Sequence, residues 1–144
     1  MYPHFFPPLR QQPNAGLIED IAKAINGEYS AVTCYQQLAQ LAPNEKTRHR
    51  ILEIRKDEIR HFQMFSRIYM TLTGRQPQPQ LTERCPTIYR EGLRAAFQDE
   101  QETVDFYHEM ADRAHHPFIK KQLRRAAFDE QNHAVWFLAL DTMT

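Results

Sequence analysis

The chain places a glutamate and a histidine, three residues apart, in the middle of a helical apolar stripe, and it does so twice. "DEIRH" occupies 57–61 and "DEQNH" occupies 129–133. Around the first motif, apolar residues recur at Ile51, Ile54, Phe65, Ile68 and Leu72, in the steps of three and four that mark one face of an α-helix. The two steps missing from that series fall on Glu58 and His61. The second motif follows at an offset of 72 residues without a gap. Asp57 maps to Asp129, Glu58 to Glu130, His61 to His133 and Phe65 to Phe137. Upstream, Glu28 maps to Glu100, Val32 to Val104 and Tyr35 to Tyr107. Any fold for this chain must therefore bury acids and imidazoles at equivalent places in two halves.

Prolines cut the sequence into four helical segments, and no segment reads as a strand. The first is expected over 14–42, with Asn14 as its N-cap and a stripe of Leu17, Ile21, Ile25, Val32, Tyr35 and Leu38. Asn44 caps the second, which runs to about Leu72 before Thr73 and Gly74. Residues 74–86, "GRQPQPQLTERCP", read as a polar linker. The third segment runs from about Thr87 to Ala114, and the fourth from Pro117, at its first helical position, to about Thr142. This gives a proline- and aromatic-rich tail over 1–13, expected to pack on the bundle or on a neighbouring chain, and a bundle over 14–144.

Glu28 lies 15 residues before Pro43, and Glu58 lies 15 after it. In an antiparallel hairpin the two carboxylates sit at one height. Glu100 and Glu130 flank the 115–117 turn in the same manner. Two such hairpins, packed face to face, collect four Glu and two His at one level of the core. The linker chooses the connection between them. The second helix is roughly 42 Å long at about 1.5 Å per residue, and a thirteen-residue linker reaches roughly 43–47 Å when extended. That length suits a crossover running the length of the bundle, so the internal two-fold lies perpendicular to its axis.

Four buried carboxylates do not all stay ionised in a low-dielectric core without compensation. Two divalent cations balance their four charges, and two neutral imidazoles add ligands without charge. Glu and His at i, i+3 lie on adjacent turns of one face, where both reach one ion. One Glu from each of two helices and Glu-x-x-His from each of the other two is the ligand pattern of di-iron and di-manganese carboxylate bundles.

On Glu28, "DEIRH", Glu100 and "DEQNH", residues 14–143 resemble the ferritin-like superfamily, and within it the rubrerythrin-type domain. The resemblance implies a non-haem centre of two iron ions, manganese being an alternative, that reacts with hydrogen peroxide or dioxygen. It casts Glu28, Glu58, His61, Glu100, Glu130 and His133 as metal-ligating and catalytic residues. The chain departs from the family pattern in three ways. These 144 residues hold no C-x-x-C, so the rubredoxin-like segment of many rubrerythrins is not expected. The third-helix carboxylate that the family carries three residues beyond the bridging Glu, here taken as Glu100, falls on Thr103. The short fifth helix of the cage-forming ferritins is not expected, which counts against storage in a cage.

Around these six, Asp57 and Asp129 are expected either on the surface or bonded to the ligand His of the opposite half, fixing its tautomer. Tyr35 and Tyr107 lie two turns from Glu28 and Glu100 on the same face, placed to pack or to bond a ligand carboxylate. Glu102 points away from Glu100. His49, His108, His115 and His116 read as surface or turn residues, and Trp136 as core.

Composition narrows the rest. Eighteen basic and eighteen acidic residues cancel, which argues against nucleic acid or an anionic membrane as partner. No apolar run is long enough to span a bilayer, and the N-terminus lacks a signal-peptide pattern. Cys34 and Cys85 form no C-x-x-C and read as isolated thiols, in keeping with a reducing, cytoplasmic setting. The expected assembly is a homodimer served by an unidentified electron donor. Four functions fit: an oxidoreductase passing electrons from Fe(II) to peroxide or dioxygen, a ferroxidase that handles iron, a di-manganese protein disproportionating peroxide, and a metal-stapled interaction or coat module.

Overall fold

The computed structural model describes the backbone from Phe6 to Met143 and side chains from Ala15 to Met143. Four helices make up the described chain: α1 (Phe6–Leu41), α2 (Glu45–Thr73), α3 (Tyr89–Arg113) and α4 (Pro117–Thr142). They pair as the hairpins α1/α2 and α3/α4. Asn44 caps α2 by accepting from the Thr47 N–H at 2.9 Å. Gly74 ends it at φ 73°, a left-handed conformation that glycine adopts without steric cost. Pro117 opens α4, and His116 Nδ1 accepts from the Phe118 N–H at 3.2 Å. Asn14 does not cap the first helix. That helix already begins at Phe6, so Asn14 lies within it. The docking expected of the 1–13 tail lies outside the described side chains.

The linker is a crossover. It leaves the end of α2 and runs alongside α1 in the same direction. Asn26 Oδ1 accepts from Gln80 N–H at 2.9 Å, Ser30 Oγ accepts from Thr82 N–H at 3.0 Å, and Gln37 Nε2 donates to Pro86 O at 3.2 Å. It delivers α3 antiparallel to α1, as the Arg113–Asp20 ion pair at 2.5 Å confirms at the far end. Helices α2 and α3 therefore run the same way, and the two-fold relating the halves is perpendicular to the bundle.

One expectation fails on this linker. Cys34 and Cys85 are not isolated thiols. They form a disulfide, Cα to Cα 5.1 Å, between α1 and the crossover. Fifty-one residues separate them in sequence, so only the docking of the crossover on α1 brings them together. The thiol argument for a reducing compartment falls with this pairing. No described helix is long and apolar enough to cross a membrane.

The core divides into two apolar layers. One holds Ile21, Ile25, Phe65, Ile68, Tyr107, Met110 and Leu123. The other holds Tyr35, Leu38, Ile51, Ile54, Leu93, Phe137 and Leu140. Phe65 and Phe137 are fully buried, and each such side chain contributes about 1.5–3 kcal/mol by leaving water. Between the layers lies a belt of acids and imidazoles. Trp136 is half-buried against the second layer, with the Arg50 guanidinium 3.8 Å above its ring.

Candidate dinuclear metal centre

Glu28 on α1, Glu58 and His61 on α2, Glu100 on α3, and Glu130 and His133 on α4 meet in this belt, and none is more than 5% exposed. Their ligand atoms form two overlapping groups. Glu28, Glu58, His61 and Glu130 offer atoms within 4.8 Å of one another, and so do Glu58, Glu100, Glu130 and His133. Glu58 and Glu130 belong to both. Glu28 with His61, and Glu100 with His133, belong to one each. The carboxylates common to both groups are those of the two Glu-x-x-His motifs, whose helices face each other across the two-fold, whereas Glu100, taken above as the bridging acid, belongs to one group.

A network orients the six. His61 Nε2 meets Asp129 Oδ2 at 2.9 Å, and His133 Nε2 meets Asp57 Oδ2 at 2.7 Å. Each bond joins one half to the other. Tyr35 donates to Glu100 Oε2 at 2.8 Å, and Tyr107 donates to Glu28 Oε2. Each tyrosine is backed by the phenylalanine of its own layer, Tyr35 by Phe137 at 5.0 Å between centroids and Tyr107 by Phe65 at 5.2 Å. All four residues beside the motifs therefore act on the cluster, and every contact crosses the two-fold.

The electrostatics ask for a counter-charge. Burial, then the charges of Glu58 and Glu130, push Glu28 well above the carboxylate range. Burial and the same two acids push Glu100 up. For Glu58, burial also opposes ionisation, but the imidazoles of His133 and His61 beside it outweigh that and hold its carboxyl down. Burial disfavours charge on His61, yet the charge of Glu28, the bond to Asp129 and the nearby Glu130 push it up. His133 behaves alike, through Asp57, Glu100, Glu130 and Glu58. Protein atoms alone thus force these groups to share protons.

Hydrogen bonding gives the same answer. Glu28 Oε1, Glu58 Oε1, Glu100 Oε1, Glu130 Oε1, His61 Nδ1 and His133 Nδ1 are buried without a hydrogen-bond partner. Six inward-facing atoms, one from each residue, converge unsatisfied, although unpaired buried polar groups are rare in folded proteins. With each Nε2 bonded to an aspartate, each Nδ1 faces carboxylates 3.2–3.5 Å away, and the four carboxylates crowd one another. Two cations resolve that repulsion, and the residues present fit them.

A cavity of about 210 Å³ reaches this belt between α1 and α3. Glu28, Glu58 and Glu130 form its floor, and Thr82, Asp99 and Thr103 line its walls. Burial, reinforced by the charges of Glu83, Glu130 and Glu58, pushes the Asp99 carboxyl up to about 7. Sequence reasoning missed Asp99. Its one signal was adjacency to Glu100, which does not reveal on which side a cavity opens. Thr103, where the family carboxylate was sought, lines the same cavity and donates to Asp99 O at 2.7 Å. Glu102, His49, His108, His115 and His116 are exposed, as expected.

Two hairpins joined by a full-length crossover around a carboxylate–histidine di-metal site define a ferritin-like four-helix bundle. Its second hairpin matches the rubrerythrin family of that fold. The family's model, described as rubrerythrin, matches residues 91–142. The chain is 52% identical over 131 residues to YhjR, an uncharacterized protein of Bacillus subtilis (strain 168), covering 91% of this chain and 89% of that protein. A hypothetical protein from Pyrococcus furiosus, Pfu-1136390-001, shares the fold with a TM-score of 0.77 at 21% identity, over 88% of this chain and 89% of that one.

Proposed function

We propose that the protein is a non-haem di-iron oxidoreductase acting on hydrogen peroxide or dioxygen. The observation that carries this is the pair of overlapping four-residue groups sharing Glu58 and Glu130. Glu58 and Glu130, common to both groups, would help hold two metal ions side by side, so that one molecule of peroxide or dioxygen could meet both. Bound as Fe(II), the pair would supply two electrons to the oxidant. The chain does the rest. Glu28 and His61 complete one position, and Glu100 and His133 the other. Asp57 and Asp129 hold the imidazole tautomers, and Tyr35 and Tyr107 hold the terminal carboxylates. The apolar layers keep bulk water out. Asp99, in the wall of the cavity, holds a proton near neutral pH for the reduced oxygen atoms.

A homodimer in the cytoplasm completes the proposal. Phe128, Val135 and Leu138 are 70%, 58% and 48% exposed and form a stripe on one face of α4, suited to a second copy. The balanced charge supports neither a nucleic-acid nor a membrane partner.

The test is elemental analysis of native protein, followed by rapid mixing of anaerobic Fe(II) protein with each oxidant while ferric absorbance is recorded. Faster reaction with peroxide supports the proposal. Faster reaction with dioxygen, with many irons held per chain, means a ferroxidase. Native manganese with evolution of dioxygen from peroxide means a catalase-like centre. No reaction with either oxidant leaves a metal-stapled interaction module.

A further inference from the structure

The Cys34–Cys85 disulfide breaks the symmetry of the bundle. Under the 72-residue repeat the counterpart of Cys34 is Phe106, and that of Cys85 is Pro13. The pair is therefore no part of the duplicated metal scaffold. It lies beside one half of the centre only. Cys34 directly precedes Tyr35, whose hydroxyl donates to Glu100 Oε2 at 2.8 Å. A cleft of about 60 Å³ is lined by Cys34, Tyr35, Arg84 and Asp99. Asp99 also lines the cavity that reaches Glu28, Glu58 and Glu130.

A purely structural staple would hold the crossover against α1. The crossover is already held there by hydrogen bonds on both sides of the disulfide. Thr82 N–H donates to Ser30 Oγ at 3.0 Å before it, and Gln37 Nε2 donates to Pro86 O at 3.2 Å after it. With the S–S bond reduced, these contacts keep the two thiols facing each other at high effective concentration. Both cysteines are half-buried rather than sealed in the core, so an external dithiol can reach them.

We propose that Cys34 and Cys85 are a redox-active pair that supplies the two electrons for peroxide reduction at the neighbouring carboxylate–histidine centre. The proposal rests on the oxidoreductase reading above. The net reaction balances without another reductant: two thiols and one hydrogen peroxide give one disulfide and two waters. The O–O bond breaks, the S–S bond forms, and both thiol protons end in water. A small external dithiol restores the pair by exchange through a mixed disulfide. In a reducing compartment, disulfides that turn over in this way are the ones expected to occur.

The test follows the thiols themselves. Full-length protein is reduced with dithiothreitol, desalted anaerobically and loaded with two equivalents of Fe(II) or of redox-inert Zn(II). One equivalent of hydrogen peroxide is added. Samples are quenched with N-ethylmaleimide, and intact mass reports free thiols or disulfide. Peroxide consumption and ferric absorbance are read in the same samples. The disulfide is expected to form at least about tenfold faster in the iron protein, because direct attack on peroxide is limited by the small thiolate fraction at neutral pH. Cys34→Ser and Cys85→Ser are expected to keep the first ferric absorbance change but lose continued peroxide turnover on dithiothreitol. Equal rates with iron and zinc would show direct thiol oxidation and overturn the inference. Peroxide consumption with both thiols still free would overturn it while leaving the oxidoreductase reading intact. No peroxide consumption and no ferric absorbance in the iron protein would overturn both.

Discussion

His133 Nε2 lies 2.7 Å from Asp57 Oδ2, a bond from the fourth helix to the second that turns the other ring nitrogen toward Glu58, Glu100 and Glu130. The same bond holds the Asp57 carboxyl below its usual range. Asp57→Asn keeps the shape but weakens the acceptor, as Asp129→Asn does for His61. Metal affinity, read by competition with a chromophoric chelator, should fall by about 10–100-fold in each variant while helical content is unchanged. Unchanged affinity in both would reduce these acids to packing.

The two groups of ligands are coupled through Glu58 and Glu130, so substitutions should sort by position. Glu28→Ala removes a ligand from one metal position and Glu100→Ala from the other. Glu58→Ala and Glu130→Ala each remove a ligand shared by both groups. Metal content after desalting should therefore fall more in the shared pair than in the terminal pair. Glu102→Ala, on an exposed face, should bind as the parent does. Elemental analysis of the five variants decides it, and equal loss in all four ligand variants would contradict the shared arrangement.

Removing metal should make stability depend on pH in a defined direction. Without metal, burial and neighbouring acids keep Glu28 and Glu100 protonated above 4.5. The folded chain then binds more protons than the unfolded one, and stability falls as pH rises past that point. His61 and His133 retain protons above 6.5, so a further loss begins there. Glu58 is held below 4.5, and its contribution, present above that value, disappears as pH falls. Metal needs deprotonated ligands, so its stabilisation grows as pH rises. It reaches about 2.7 kcal/mol when free metal is a hundredfold above Kd. Thermal melts with and without chelator should diverge steadily between about pH 5 and pH 8. Coincident midpoints across that range would mean the acids are tolerated by protonation alone.

Tyr35 and Tyr107 each satisfy one oxygen of a buried carboxylate across the two-fold. Tyr35→Phe or Tyr107→Phe retains the ring packing on Phe137 or Phe65 and strands that oxygen. Chemical denaturation should show a loss of about 1–3 kcal/mol for each, the cost of an unsatisfied buried acceptor. A neutral substitution would show that the hydroxyls add nothing beyond packing.

Much of this protein is written locally. The series Ile51, Ile54, Glu58, His61, Phe65, Ile68 fixes a helix and the face that holds the ligands, because steps of three and four are a property of the α-helix alone. Equal distances of Glu28 and Glu58 from Pro43 set their common height, and the thirteen-residue linker sets the crossover. Tertiary structure decided what depends on direction across the gap between helices. Tyr35 shares a face with Glu28 but bonds Glu100, and Tyr107 bonds Glu28. Glu58 and Glu130, rather than Glu100, are shared, because sharing depends on which carboxylates point along the axis between the two groups. Cys34 and Cys85 carry no spacing that announces their pairing. They meet because hydrogen bonds from Thr82 N–H to Ser30 and from Gln37 to Pro86 lay the crossover along α1, and such contacts between residues distant in sequence exist only once the chain has folded.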